Sequence, residues 1–133
     1  MTKDKIMDNL SYKELLYRIC DKVYCFEEFG SYQGDWWAKV KYKGKTGWVH
    51  GYFGSCAGCD ELEAVRDDIY DCLNDEEAQR IYDNAVDEFK RSYLQKEFIL
   101  SQEEAEKEAQ EDVNWDMEAQ AMVDFIKENR INE

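Results

Sequence analysis

Residues 30–60 read GSYQGDWWAKVKYKGKTGWVHGYFGSCAGCD, and they hold all seven glycines of a 133-residue chain that has no proline. Within them Asp35 to Tyr42 alternates, with Trp36, Ala38, Val40 and Tyr42 on one face and Trp37, Lys39 and Lys41 on the other. Lys43-Gly44-Lys45 supplies a hairpin loop, and Thr46 to Phe53 returns as the next strand. Upstream, KVYCFEEF at 22–29 is rich in β-branched and aromatic residues and makes a first strand. The centre of the chain is therefore expected to be a three-stranded antiparallel meander. Lys39, Lys41, Lys43 and Lys45, all on one hairpin, read as the watery side of an edge strand.

Outside this stretch nothing interrupts a helix. Ser11 with Glu14 forms a capping box, Leu10 with Leu15 occupies the staple positions, and a helix over about 12–21 buries Leu15, Leu16 and Ile19. From Asp60 the period becomes helical, with Leu62, Val65, Ile69 and Cys72 or Leu73 on one face. Asn74 with Glu77 starts a second segment through Ala78, Tyr82, Ala85 and Phe89. Ser101 with Glu104 opens a last helix through Ala105, Ala109, Val113, Met122, Phe125 and Ile126. The expected order is α-β-β-β-α-α-α, an α+β fold in one domain over 1–133. Residues 1–59 carry a helix and the sheet; residues 60–133 form an acidic helical part.

Charge divides at the same boundary. The chain has 31 Asp and Glu against 17 Lys and Arg, a net charge of −14. Residues 1–59 carry nine basic and seven acidic residues, whereas 60–133 carry eight and 24. An aromatic content of 14% with four Trp supplies a core and argues against a disordered acidic chain. No apolar run approaches the 18 or so residues of a membrane span, and no secretory h-region opens the chain. A cytoplasmic location without membrane contact is expected. So negative a chain repels phosphate backbones, so direct nucleic-acid binding is not expected either. The acids group as Asp67, Asp68, Asp71, Asp75 and Glu76, then Asp83, Asp87 and Glu88, then Glu104, Glu108 and Asp112 with their neighbours. Twenty-four acids in 74 residues exceed what solubility requires, and self-repulsion opposes compactness. The first and third groups are the candidate partner-binding residues, and the matching partner is a basic protein surface, including one that ordinarily takes nucleic-acid phosphates.

Five cysteines without an export signal read as reduced thiols. Cys20 and Cys72 sit at helical spacing as small buried hydrophobes, and Cys25 lies in a strand. Cys56-x-x-Cys59 leaves three readings open. It is half of a zinc site that His50, Cys25 or Asp60 would have to complete; it is a redox pair before a helix; or it is a tight structural loop. Thioredoxin-like folds, whose redox pair this spacing resembles, place a cis-proline opposite it, and a chain without proline departs from that pattern, which weighs against redox chemistry. The favoured reading is structural, with no cofactor and no catalysis. Asp35, His50, Cys56, Cys59 and Asp60 remain the candidates for a site at the glycine loops.

The pairing of GSYQGDW at 30–36 with GSCAGCD at 54–60 resembles a group of small phage and mobile-element proteins, over roughly residues 28–64. That resemblance implies a lineage and carries no catalytic or ligand role. Gly34 to Val40 followed by Gly44 to His50 is similar to the central hairpin of bacterial SH3-like domains, although a helix and one strand stand where that fold's earlier strands belong. The expected function is that of a non-enzymatic, phage-derived binding protein. Its acidic surface would bind and inhibit a basic host nucleic-acid or defence protein, as a nucleic-acid mimic does. A metal- or thiol-dependent enzyme or ligand sensor at the CxxC loop is the alternative.

Overall fold

A computed structural model describes residues 1–54, 60–111 and 116–130. Two helices, α1 (Lys3–Asp8) and α2 (Tyr12–Ile19), precede strands β1 (Lys22–Gly30), β2 (Gly34–Tyr42) and β3 (Lys45–Phe53). Helices α3 (Glu61–Asp71) and α4 (Asp75–Tyr93), a 3₁₀ turn at Lys96–Phe98, and helices α5 (Gln102–Glu111) and α6 (Asp116–Glu128) follow. The α+β architecture, with an early antiparallel meander in the order β1-β2-β3, is as expected. Among the described residues no strand follows Phe53, and no helix is long and apolar enough to cross a membrane.

Local chemistry explains the helix starts. Ser11 Oγ accepts from Glu14 N (3.1 Å), and Asn74 Oδ1 from Glu77 N (2.8 Å). At α5 the capping box is reciprocal: Ser101 Oγ accepts from Glu104 N while Glu104 Oε1 accepts from Ser101 N (2.9 Å). The β2–β3 turn has two residues, Lys43 (φ 50°) and Gly44 (φ 84°), both left-handed as a type I′ hairpin demands. Beyond β3 the chain returns to form a single bridge, Trp48 with Leu100, both bonds 2.8 Å. This contact covers the outer edge of the sheet, and it needs Gly47, where a Cβ would lie 2.6 Å from Leu100 O.

Four details differ from the sequence reading. Residues 3–8 form a helix that periodicity alone does not announce, capped by Thr2 and burying Ile6. Helix α2 ends at Ile19, which is only half-buried. The long last helix is two helices, with α6 running back along α5: Gln102, at the start of α5, donates to Ile126 O near the end of α6 (3.0 Å). Most consequentially, β2 is no edge strand. It is central, and both of its faces are core as far as Val40, whereas Lys41, Lys43 and Lys45 are exposed as expected.

One face, carrying Trp36, Ala38 and Val40, packs with Leu15, Leu16, Leu62, Ile69, Tyr82 and Phe89 from α2, α3 and α4. Trp36 sits in an aromatic stack, 5.4 Å from Tyr12 and 5.9 Å from Phe26 between ring centroids. The other face, with Trp37 and Trp48, receives Ala105, Ala109, Met122, Val123 and Ile126 from α5 and α6. The small alanines of α5 let it lie close to the sheet. Lys39 belongs to this second face and is 1% exposed. Its Nζ donates to Asn129 O (3.1 Å) and Arg130 O (3.3 Å) at the end of α6, where backbone carbonyls lack helical donors and the macrodipole is negative.

Candidate functional site

The layers decide which candidate residues meet. At the first glycine loop Asp35 is buried on β2, in register with Phe29 on one side and Tyr52 on the other. His50 on β3 stacks on Trp37, with ring centroids 4.2 Å apart and planes within 8°. Its Nε2 is 3.9 Å from Glu108 Oε1 on α5. Both belong to the α5–α6 side of the sheet. Asp60 belongs to the other side and is spent on structure. Its carboxylate accepts from Tyr12 Oη (2.6 Å), Leu62 N (3.0 Å) and Gly54 N (2.9 Å), so it ties α2 to the start of α3 and to the end of β3. Burial and that adjacent carboxylate push the Tyr12 phenol far above its ordinary range. Cys56 and Cys59 lie outside the described residues.

The three described cysteines pack within the fold. Cys20 and Cys72 are buried, and burial pushes the Cys20 thiol up to about 12. Cys25 is half-buried against the second core cluster, its thiol also raised by burial. Among the described residues no group of three or more His, Cys, Asp or Glu side chains is placed to hold a metal ion.

The acidic candidates fall into two groups on opposite sides of the sheet. Glu104 and Glu108 lie on α5, and both have local work. Glu104 completes the capping box, the Ser101 N–H holding its carboxyl below the ordinary 4.5, while Glu108 faces His50. Asp112 lies outside the described residues. The other group forms one corner. Helix α3 turns Leu62 and Ile69 inward, which leaves Asp67, Asp68 and Asp71 exposed. Asp75 and Glu76 follow in the first turn of α4, where negative charge suits the helix dipole. The N-terminal segment braces this corner. Lys3 Nζ donates to Tyr70 O (2.7 Å) and Cys72 O (3.0 Å), taking up the last carbonyls of α3, and Lys3 N donates to Asp75 Oδ1 (2.8 Å).

Inside the acidic corner stand two large apolar side chains, Tyr70 at 73% exposure and Leu73 at 91%. Sequence periodicity leaves Cys72 and Leu73 as alternatives for the inward position. The fold buries Cys72, caps α3 there and turns Leu73 to water. A single exposed leucine is unremarkable, but this one stands three residues from an exposed tyrosine and among the exposed acids Asp67, Asp68, Asp71, Asp75 and Glu76. Chemically the corner offers apolar anchors within a negative rim, which is how many protein-binding surfaces are built.

No family model, no curated protein and no solved structure matches this chain.

Proposed function

We propose that the chain is a non-enzymatic binding protein whose α3–α4 corner docks on a basic surface of another protein. The observation that carries this reading is the coincidence of Tyr70 and Leu73, both exposed, with Asp67, Asp68, Asp71 and Glu76. Exposed acids alone describe any soluble helix. Exposed anchors within them supply the desolvated contact that holds a complex, while the carboxylates steer and orient the partner. The bracing by Lys3 supports the same view, since a corner fixed before binding has less entropy to lose. A host nucleic-acid or defence protein fits as the partner, with inhibition as the outcome, because such a partner carries the positive groove that the corner complements; the phage-like GSYQGDW and GSCAGCD pairing lies outside the corner and bears on lineage alone.

The test is affinity capture with the full chain beside two variants, the triple reversal Asp67→Lys, Asp68→Lys, Asp71→Lys and the single Leu73→Ala. Capture is run at about 0.05 and 0.5 M salt. A basic partner held by the wild type at low salt, released at high salt and lost by both variants is the expected result. Binding that ignores salt and both variants, and maps to the glycine loops, refutes the reading.

A further inference from the structure

The opposite end of α4 has the reverse character. Between the β2–β3 turn, the last turns of α4 and the 3₁₀ segment lies an open cavity of about 820 Å³. Its apolar wall is Tyr42, Leu94 and Ile99, the last two buried. Its cations are Lys43, Lys45, Lys90, Arg91 and Lys96, five of the 17 basic residues in a chain of charge −14, and Asp87 is the one acid that lines it. Lys90 and Arg91 close the last turn of a helix, where a cation complements the dipole. That account does not extend to Lys43 and Lys45, which come from the hairpin, or to Lys96, which follows the helix.

Two further observations bear on the cations. Lys45 Nζ donates to Lys96 O (3.0 Å), and Arg91 pairs with Glu88 (2.6 Å), whereas Lys43, Lys90 and Lys96 make no ion pair among the described residues. Lys43 also holds a left-handed backbone, φ 50°, at a turn position where Asn, Asp or Gly is the unstrained choice. The turn thus keeps a lysine at a local conformational cost, with its ammonium 5.4 Å from the Tyr42 ring centroid at the cavity mouth.

We infer that this cavity binds a small phosphorylated molecule with a flat apolar body, of the chemical class of a nucleoside diphosphate. The volume falls within the 300–1,000 Å³ or so of small-molecule sites. The apolar wall of Tyr42, Leu94 and Ile99 takes the flat body, and the lysines at the rim take the phosphates. The net negative charge of the chain does not forbid this, because physiological salt screens charges beyond about 8 Å. The cavity is built from residues other than the α3–α4 corner, so the two readings fail separately.

Calorimetric titration of the full chain with ADP, pyrophosphate and adenosine, each alone, tests the inference. ADP is expected to bind one site, with pyrophosphate and adenosine each weaker by about tenfold or more, because each lacks half of the contacts. Lys90→Gln lowers ADP affinity by about tenfold. Lys43→Asn lowers it similarly while raising the melting temperature, since asparagine suits the turn, so loss of binding there is not loss of fold. No ADP binding at millimolar concentration overturns the inference. So does pyrophosphate binding as tightly as ADP, which marks a mere counter-ion patch, and so does ADP affinity unchanged in both variants.

Discussion

Replacing Gln102 by Leu probes the bonds that hold the α5–α6 layer to the sheet. The Gln102 amide is buried, 8% exposed, and it joins three elements. Its Oε1 accepts from Trp48 Nε1 on β3 (2.9 Å), and its Nε2 donates to Ile126 O on α6 (3.0 Å) and to Glu106 Oε2 (3.1 Å). Leucine fills nearly the same volume and makes none of these bonds. The indole N–H of Trp48 then has no acceptor in the core, at a cost of about 1–3 kcal/mol. The Ile126 carbonyl loses its donor for about 1 kcal/mol more, while Glu106 keeps Arg130. Greater apolar burial returns about 1 kcal/mol. The net loss is about 1–3 kcal/mol, or about 3–12 °C of melting temperature for a chain of this length. Urea unfolding followed by tryptophan fluorescence measures it, with the slope unchanged. Trp48→Phe in the Gln102→Leu background removes the orphaned donor, so the double variant should be more stable than the sum of the single losses by about 1 kcal/mol. A Gln102→Leu midpoint equal to wild type, or strict additivity of the pair, refutes the reasoning.

Two other outcomes are expected. The carboxyls of Glu104 and Glu106 are held below their ordinary 4.5, by the Ser101 N–H and by Arg130 respectively, so each contributes stability above about pH 4.5 that is lost as pH falls through the lower folded value. Melting temperature measured from about pH 6 to pH 3 should fall across that window, and Glu106→Gln should flatten the fall; a steeper fall in the variant contradicts the assignment. Alkylation of the folded chain at about pH 8 should leave Cys20 unmodified, its thiol being raised to about 12 by burial; mass mapping that finds Cys20 modified as readily as in urea rejects this burial.

What was legible in the residues was what adjacent residues decide. The capping pairs Ser11 with Glu14, Asn74 with Glu77 and Ser101 with Glu104 close within three residues, and all three open helices in the structure. The hairpin was legible in the same local way, although its turn is Lys43-Gly44 alone and Lys45, read with the loop, begins β3 opposite Tyr42. Lys39 defeats such reading because its burial depends on carbonyls 90 and 91 positions away. An alternating strand with lysines on one face looks half wet until a second helical layer arrives to cover it. The division of the last helix was hidden by an unbroken apolar period without glycine or proline. At the candidate site the carboxylates were visible as composition, whereas the exposure of Leu73 follows from where α3 stops, and the basic cavity is assembled from three separate segments.

Helix α4 joins the two surfaces and explains why they remain distinct. Asp75 and Lys90 are 15 residues apart, about 22 Å along the axis. The macrodipole favours acids at one end and bases at the other, but only within the first and last turns and by about 0.3–1 kcal/mol each. It does not account for Asp67, Asp68 and Asp71 on α3, nor for the lysines of the hairpin. Their alignment with the helix ends comes from the tertiary fold, which sets the last turns of α3 beside the acid-bearing N-terminus of α4 and the β2–β3 turn beside its base-bearing C-terminus. At physiological ionic strength the screening length of about 8 Å is far shorter than the distance between them. A basic partner at the corner and a phosphate ligand in the cavity therefore neither attract nor exclude one another through their charges. Coupling between the two sites, if measured, has to travel through the packing of α4 against the sheet, where Tyr82 and Phe89 are buried with Trp36 and Val40.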